Sequence, residues 1–323
     1  MLKDSFVCRV LLTFAVETLF NIKKFKIMKK IISIAAVAAL CFSACSTEEP
    51  AVSSITIKAD DSPIEDYATI TFNCRGEFDL STESFTRALT ADGKAMTDLW
   101  VLDYHNGATQ PSAVIHQTSD DDDFGSPTLN LAVGSHHVYF IASRGQGATL
   151  DTDSHTLTFS RVLDTFYKDY TIDVTGTTNG SRTVTLDRCV TKLTAVITDE
   201  IPTDAATFNI TPTAWHYGID YVSGNPTAAT ASQTITINIP ASEIGVTNES
   251  LNIFCFSAAD EWTTDIALDC KTSGGDILGT ATIAAAPFQR NRITIYEGPL
   301  FSTEGLTAVS LSTDWQTNHT GTW

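Results

Sequence analysis

From residue 67 onward the chain is written in short runs whose apolar residues recur at every second position, and no stretch sustains a 3.6-residue period over three turns. A period of two puts alternate side chains on opposite faces of an extended backbone, so the pattern suits strands and not helices. Tyr67–Asn73 (YATITFN) alternates, while Leu99–Tyr104 (LWVLDY) and His137–Ala142 (HVYFIA) are nearly continuous apolar runs that suit buried strands. The longest β-like run is Thr183–Asp199 (TVTLDRCVTKLTAVITD). Turn residues punctuate these runs, including Asn-Gly in HNGATQ and the cluster TGTTNGS at 175–181. Composition agrees: 48 of the 323 residues are Thr, a β-branched residue stiff at χ1 and favoured on pleated surfaces. Ser160–Asp169 is the best helical candidate, at one or two turns. The expected fold class is all-β, with two β-sandwich domains in tandem: 67–180 and 181–323, joined at the 175–181 turn cluster.

Residues 28–45 read MKKIISIAAVAALCFSAC. Lys29 and Lys30 form a positive start and Ile31–Phe42 an apolar stretch too short to span a bilayer as a stable helix; Ser43 and Ala44 are small and Cys45 follows. This resembles a bacterial lipoprotein signal, in which a lipid is attached to the Cys45 thiol and cleavage leaves Cys45 first. Phe42 stands where Leu is usual, and an ordinary secretory signal is the alternative. Residues 1–44 are thus expected to be an N-terminal extension and signal peptide, with translation starting at Met28, and residues 45–66 a polar tether. The whole chain has a formal charge of −18, but residues 1–44 hold seven of its 20 Lys and Arg and two of its 38 Asp and Glu, so a chain beginning at Cys45 carries −23. That acidity excludes nucleic acid as a partner.

Little in the sequence carries catalytic chemistry. There is no HExxH, GxSxG, Walker A or GxGxxG motif, and the expectation is no enzyme, no cofactor and no metal. The Asp120–Asp123 run could collect a hard cation, yet consecutive carboxylates on extended chain point in alternate directions, and a solvated loop accounts for them. Asp151, Asp153 and His155 echo a metal loop without its Gly and terminal Glu. His136 and His137 are expected to place one ring inward and one in solvent. Cys74, Cys189, Cys255 and Cys270 lie in the folded part; Cys255 and Cys270 both fall on apolar strand faces, as a disulfide or as two buried thiols. Trp215, Tyr217 and Tyr221 in TAWHYGIDY could form a stacking platform for a glycan or could pack in a core.

Arg87 closes the polar stretch STESFTR and is followed by Ala88 and ADGK, open ground for a trypsin-like protease, with an ordinary exposed loop Arg as the alternative. A cut there detaches the strand at 67–73, and a sheet that loses a strand presents an unpaired edge and an apolar groove. The C-terminal run LTAVSLSTDWQTNHTGTW supplies a candidate donor, with Leu306, Ala308, Val309, Leu311, Trp315 and Trp323 as its apolar residues. A plain final strand of the second domain is the alternative.

Four pieces in order resemble the fimbrillin superfamily of Bacteroidales: the lipoprotein signal ending at Cys45; Arg87 followed by MTDLWVLDYHNGATQ; LDRCVTKLTAVITDEIP; and RNRITIYEGPLF. Glu48 and Glu49, just after Cys45, resemble a surface-export signal of the same bacteria. The resemblance implies two transthyretin-like, immunoglobulin-like β-sandwich domains in tandem. It implies a pilin of a cell-surface fimbrium that serves adhesion, exported to the outer membrane as a lipoprotein. An Arg-specific surface protease would cut between Arg87 and Ala88, removing 67–87 with the tether, and a C-terminal strand, here 306–323, would fill a neighbour's groove. Partners would be other fimbrial subunits and a host or bacterial surface receptor. Arg75 offers a second cut. Two alternatives stay open: the uncut anchor subunit of the same fimbrium, and a lipid-anchored surface glycan-binding protein.

Overall fold

The computed structural model describes residues 66–78, 81–84, 96–231, 233–302 and 319–321, which contain strands and no helix. The strands lie in one compact unit spanning Pro63–Trp323. In the first part of the chain they are β1 (Tyr67–Phe78), β2 (Ser81–Ser84), β3 (Asp98–His105), β4 (Ala113–Thr118), β5 (Thr128–Ala132), β6 (Gly134–Ser143), β7 (Thr149–Asp151), β8 (Thr156–Thr158), β9 (Thr165–Val174) and β10 (Gly180–Arg188). Then come β11 (Val190–Ile197), β12 (Ala205–Pro212), β13 (Ala214–Trp215), β14 (Gly218–Asp220), β15 (Asn225–Pro226), β16 (Thr230–Ala231) and β17 (Ile235–Asn238). The last are β18 (Glu249–Phe256), β19 (Trp262–Thr272), β20 (Ile277–Phe288), β21 (Ile293–Gly298) and β22 (His319–Gly321).

Two groups of strands contribute to the first core. β1 pairs in parallel with β10 and antiparallel with β5 and β2, while β9, β6, β3 and β4 form an antiparallel run. Ladder pairs Asp187↔Tyr167 and Arg188↔Phe166 join the groups into one eight-stranded sheet. Ala68, Ile70, Phe72 and Cys74 of β1, with Leu129 and Leu131 of β5 and Val184 and Leu186 of β10, share one apolar cluster with Leu99 and Val101 of β3 and Val138, Phe140 and Ala142 of β6. The opposite faces of β3 and β6 are buried as well. Trp100, Leu102, Tyr104, Tyr139 and Ile141 belong to a second cluster with the later strands. Burial on both faces is the physical reason LWVLDY and HVYFIA read as continuous apolar runs.

The strands after Cys189 build two four-stranded sheets of their own, in the orders β18-β11-β21-β22 and β17-β12-β19-β20, while β14 and β15 join β7 and β8 in a third, β15-β14-β8-β7. Leu193, Ala195, Ile197, Ile253 and Ile293 of the one share the second cluster with Phe208, Ile210, Ile266, Leu268 and Cys270 of the other.

Two expectations are corrected. Ser160–Asp169 is no helix: from Thr165 it is β9, in a ten-pair ladder with β6 from Gly134↔Val174 to Ser143↔Thr165. Its Thr, Phe, Tyr and Ile residues suit a pleated surface, and the available partner strand decides the matter. The run at 183–199 is two strands in different sheets, broken at Cys189. Just before the break the buried Arg188 donates from Nε and Nη2 to the Asp164 carboxylate at 2.8 and 3.0 Å, and its guanidinium lies 4.6 Å from the Phe166 ring centre. Such a bidentate pair fixes the strand's direction as well as its charge. β10 begins at Gly180 and pairs with β1, and the chain changes sheets at Cys189.

Candidate strand-exchange site

β1 fills a slot. On one side its backbone pairs with β10 from Ile70↔Gly180 to Gly76↔Leu186. On the other it pairs with β5 from Tyr67↔Ala132 to Thr71↔Thr128, and beyond that Phe72 N–H and Cys74 N–H donate to the Pro127 and Gly125 carbonyls, both at 2.9 Å. Alternation sends Ala68, Ile70, Phe72 and Cys74 into the core, each at most 1% exposed. The Phe72 ring meets Phe140 edge-on at 5.2 Å and Tyr170 at 5.7 Å. The outer face is hydroxyl and amide: Thr69 Oγ1 donates to Asn130 Oδ1 at 2.9 Å, Thr71 and Thr128 hydroxyls lie 2.9 Å apart, and Thr69 N–H donates to Asn179 Oδ1 at 2.8 Å. Burying Ile70 and Phe72 alone is worth roughly 1.5–3 kcal/mol each. Arg75 sits within β1 opposite Thr185 and Ser84. A protease must take extended, unpaired chain into its cleft, so Arg75 is shielded while β1 is seated.

At the foot of the slot a polar recess of about 180 Å³ is lined by Tyr67, Asp103, His105, Asn130, Ala132 and His136. The buried His136 ring lies between two oxygens, with Asp103 Oδ1 2.7 Å from Nδ1 and the Ala132 carbonyl 2.8 Å from Nε2. It thereby ties β6 to β3 and to β5, the slot's wall. The His105 ring stacks on it at 4.5 Å. Burial raises the Asp103 carboxyl above its ordinary value, against the hydrogen bond and charge of His136 and the charge of His105, which pull it down.

At the other end of the chain, β22 adds in parallel to the open edge of β21 through Thr294↔His319, Ile295↔Thr320 and Tyr296↔Gly321. β21 itself pairs in parallel with β11 from Lys192↔Ile293 to Ile197↔Gly298. Immediately after β21 the Asp199 carboxylate gathers three consecutive backbone donors: Leu300 N–H at 3.0 Å to Oδ1, and Phe301 and Ser302 N–H at 2.7 and 2.9 Å to Oδ2. Asp199 closes the run LTAVITD and Leu300 belongs to EGPLF, so the two C-terminal motifs meet here.

Of the residues singled out from sequence, Cys45, Arg87, Ala88, Leu306, Ala308, Val309, Leu311, Trp315 and Trp323 lie outside the described residues. The Trp215, Tyr217 and Tyr221 rings offer no platform and belong to the core, at 0%, 8% and 0% exposure. Trp215 donates Nε1–H to the Phe254 carbonyl at 3.0 Å and packs edge-on against Phe288, while the Tyr221 hydroxyl lies 2.8 Å from that of Tyr104. His136 is buried and His137 is half exposed beside Asp169. Asp121 Oδ2 accepts Thr118 N–H at 2.6 Å and Asp151 Oδ1 accepts Asp153 N–H at 2.9 Å, so both carboxylates organise turns. Among the described residues no three His, Cys, Asp or Glu side chains converge as metal ligands. Cys74, Cys189, Cys255 and Cys270 are buried free thiols. Sequence reasoning missed Asp199, whose partners are about a hundred residues away.

No protein-family profile matches the sequence, and no curated protein does. Solved structures with a similar course of strands include a provisionally assigned adhesin from Bacteroides ovatus, with 10% identity, 67% of this chain and 77% of that one covered, and a TM-score of 0.45. A fimbrial assembly protein from Parabacteroides distasonis has 10% identity over 75% of this chain and 93% of its own, at a TM-score of 0.39. The fimbrial anchor protein from Porphyromonas gingivalis has 8% identity over 68% and 83%, at 0.36. These are adhesion and fimbrial proteins of Bacteroidales.

Proposed function

We propose that the chain is a structural subunit of a cell-surface fimbrium, exported as a lipoprotein on Cys45, cut after Arg87 by an Arg-specific surface protease, and polymerised by strand exchange in the service of adhesion. The observation that carries this reading is the seat of β1. It is the first described strand, its removal would open unpaired edges on β10 and β5 together, and four of its side chains fill one continuous apolar trough. A strand from another subunit can repair both losses, with main-chain hydrogen bonds supplying affinity and alternate side chains supplying register. Because donor and acceptor lie at different places on the subunit, the contact is head-to-tail and propagates. On this reading the chain forms two tandem β-sandwich domains that meet where it changes sheets at Cys189, and 306–323 is the donor. The acidic body does not need an active site for this role.

Mild trypsin on the purified precursor should clip after Arg87 and yield ladders on unboiled gels. An Arg87→Ala protein should remain monomeric; if it polymerises as readily as wild type, the reading fails. The depth of the β1 seat also suits a subunit that keeps its strand, the uncut anchor. The N-terminal residue of surface-isolated protein separates the two: Ala88 marks an assembled pilin, lipidated Cys45 an anchor.

A further inference from the structure

We propose that Asp199 is a positioning residue: a carboxylate clamp that fixes Leu300–Ser302 over the end of the core, and that takes the pull when a neighbour holds the chain beyond Ser302. The second half rests on the strand-exchange reading; the first does not.

Three successive N–H groups aimed at one carboxylate make a concave backbone turn with the anion in its focus, and charge-assisted hydrogen bonds of this kind are the strong ones. What they hold in place matters for the core. Leu300 is 5% exposed and plugs the second apolar cluster. Its carbonyl oxygen crosses so close over Gly279 of β20 that a Cβ there would come within 2.3 Å of it. Pro299–Ser302 therefore closes the end of the core beside β20, and only a glycine at 279 admits it. The clamp also joins strands. Asp199 follows β11 by two residues and Leu300 follows β21 by two, and β11 and β21 are parallel neighbours. Tension on the segment beyond Ser302 would otherwise peel Leu300 from its seat and then draw β21, with Ile293 and Ile295, out of the core. With the clamp in place, the pull passes through Asp199 into β11, which is paired along its length with β18 on its far side.

The test is amide exchange and assembly on the full chain. In Asp199→Asn one acceptor oxygen becomes a donor facing backbone N–H groups, so the Leu300, Phe301 and Ser302 amides should exchange at least about tenfold faster, while β1 and β10 amides keep wild-type protection. Ser302→Pro removes only the outermost donor, leaves the Leu300 plug, and should accelerate Phe301 by a smaller factor; it serves if the Asn variant fails to fold. Unchanged exchange of the Leu300 and Phe301 amides in the folded variants overturns the clamp. Faster exchange with polymers as long and as resistant to shear as wild type overturns the role in taking the pull. Arg87→Ala, run alongside, distinguishes the two readings: if it polymerises normally while exchange at 300–302 still depends on Asp199, the pilin reading falls and the clamp stands.

Discussion

The two ends of the described chain are both strands laid along sheets, and they are held in opposite ways. β1 is paired on both edges over most of its length and drives four side chains into a core. β22 is joined to one neighbour through three pairs at the margin of a sheet. The first can leave only by giving up two ladders and the burial of four side chains. The second can leave by breaking a few edge hydrogen bonds. A molecule built to exchange strands needs this asymmetry: an acceptor that stays shut until it is processed, and a donor that detaches at low cost.

The largest expected effect tests the asymmetry directly. Phe72→Ala empties the space against Phe140 and Tyr170 and should destabilise the protein by about 3–5 kcal/mol, read as a lower denaturation midpoint. Deleting residues 319–323 should cost less than about 1.5 kcal/mol. Equal losses would mean that the ends are held alike and the comparison is wrong.

Next is the thiol of β1, which reports on the slot without altering it. Burial pushes the Cys74 and Cys255 thiols well up, Cys189 to about 12 and Cys270 to about 11. The thiolate is the reactive form, so at about pH 8 an alkylating reagent should leave all four unlabelled in the folded precursor for hours. After cleavage at Arg87 and loss of the strand, Cys74 should label rapidly in the released fragment while Cys255 and Cys270 stay protected. Rapid labelling of Cys74 before cleavage would show that β1 opens on its own.

How far these features can be read from sequence follows from how local each signal is. The alternation of YATITFN places Ile70 and Phe72 on one face, and the continuous LWVLDY and HVYFIA mark strands buried twice, because each pattern is complete within one strand. What is not legible depends on partners far along the chain. Nothing in TLDRCVTK announces a change of sheet, since Arg188 is turned by Asp164, 24 residues earlier. The β9 segment is ambiguous by itself and becomes a strand because β6 offers it a ladder. Trp215, Tyr217 and Tyr221 look alike as platform or core until the strands around them are known. The slot is half visible: the strand that fills it is clear, while its walls, Thr128–Ala132 and Gly180–Leu186, are not adjacent to it in sequence and one of them runs parallel. Asp199 is invisible for the same reason.

The smallest expected effect concerns pH, and it should belong to the β1 end alone. Asp103 is 2% exposed at the foot of the slot, and burial raises its carboxyl above the unfolded value more than His136 and His105 lower it. A raised carboxyl means that the folded state holds a proton the unfolded chain has already released. Below the unfolded value, about 3.9, both states are protonated and the group contributes no pH dependence. As pH rises through the window between the unfolded and folded values, stability falls, and above the folded value the full cost of ionising a buried carboxylate is in place. Asp103→Asn cannot ionise, and its Oδ1 can still accept from His136, so its stability should lose less than wild type does between about pH 4 and about pH 8. The difference should appear in the exchange of β1 and β5 amides and leave those of β21 unchanged, because Ala132 of β5 is tied through His136 to Asp103, whereas the ladder partners of β21 are β11 and β22. Parallel pH profiles for the two proteins, or a response that spreads equally to β21, would show that the foot of the slot is not where the carboxyl acts.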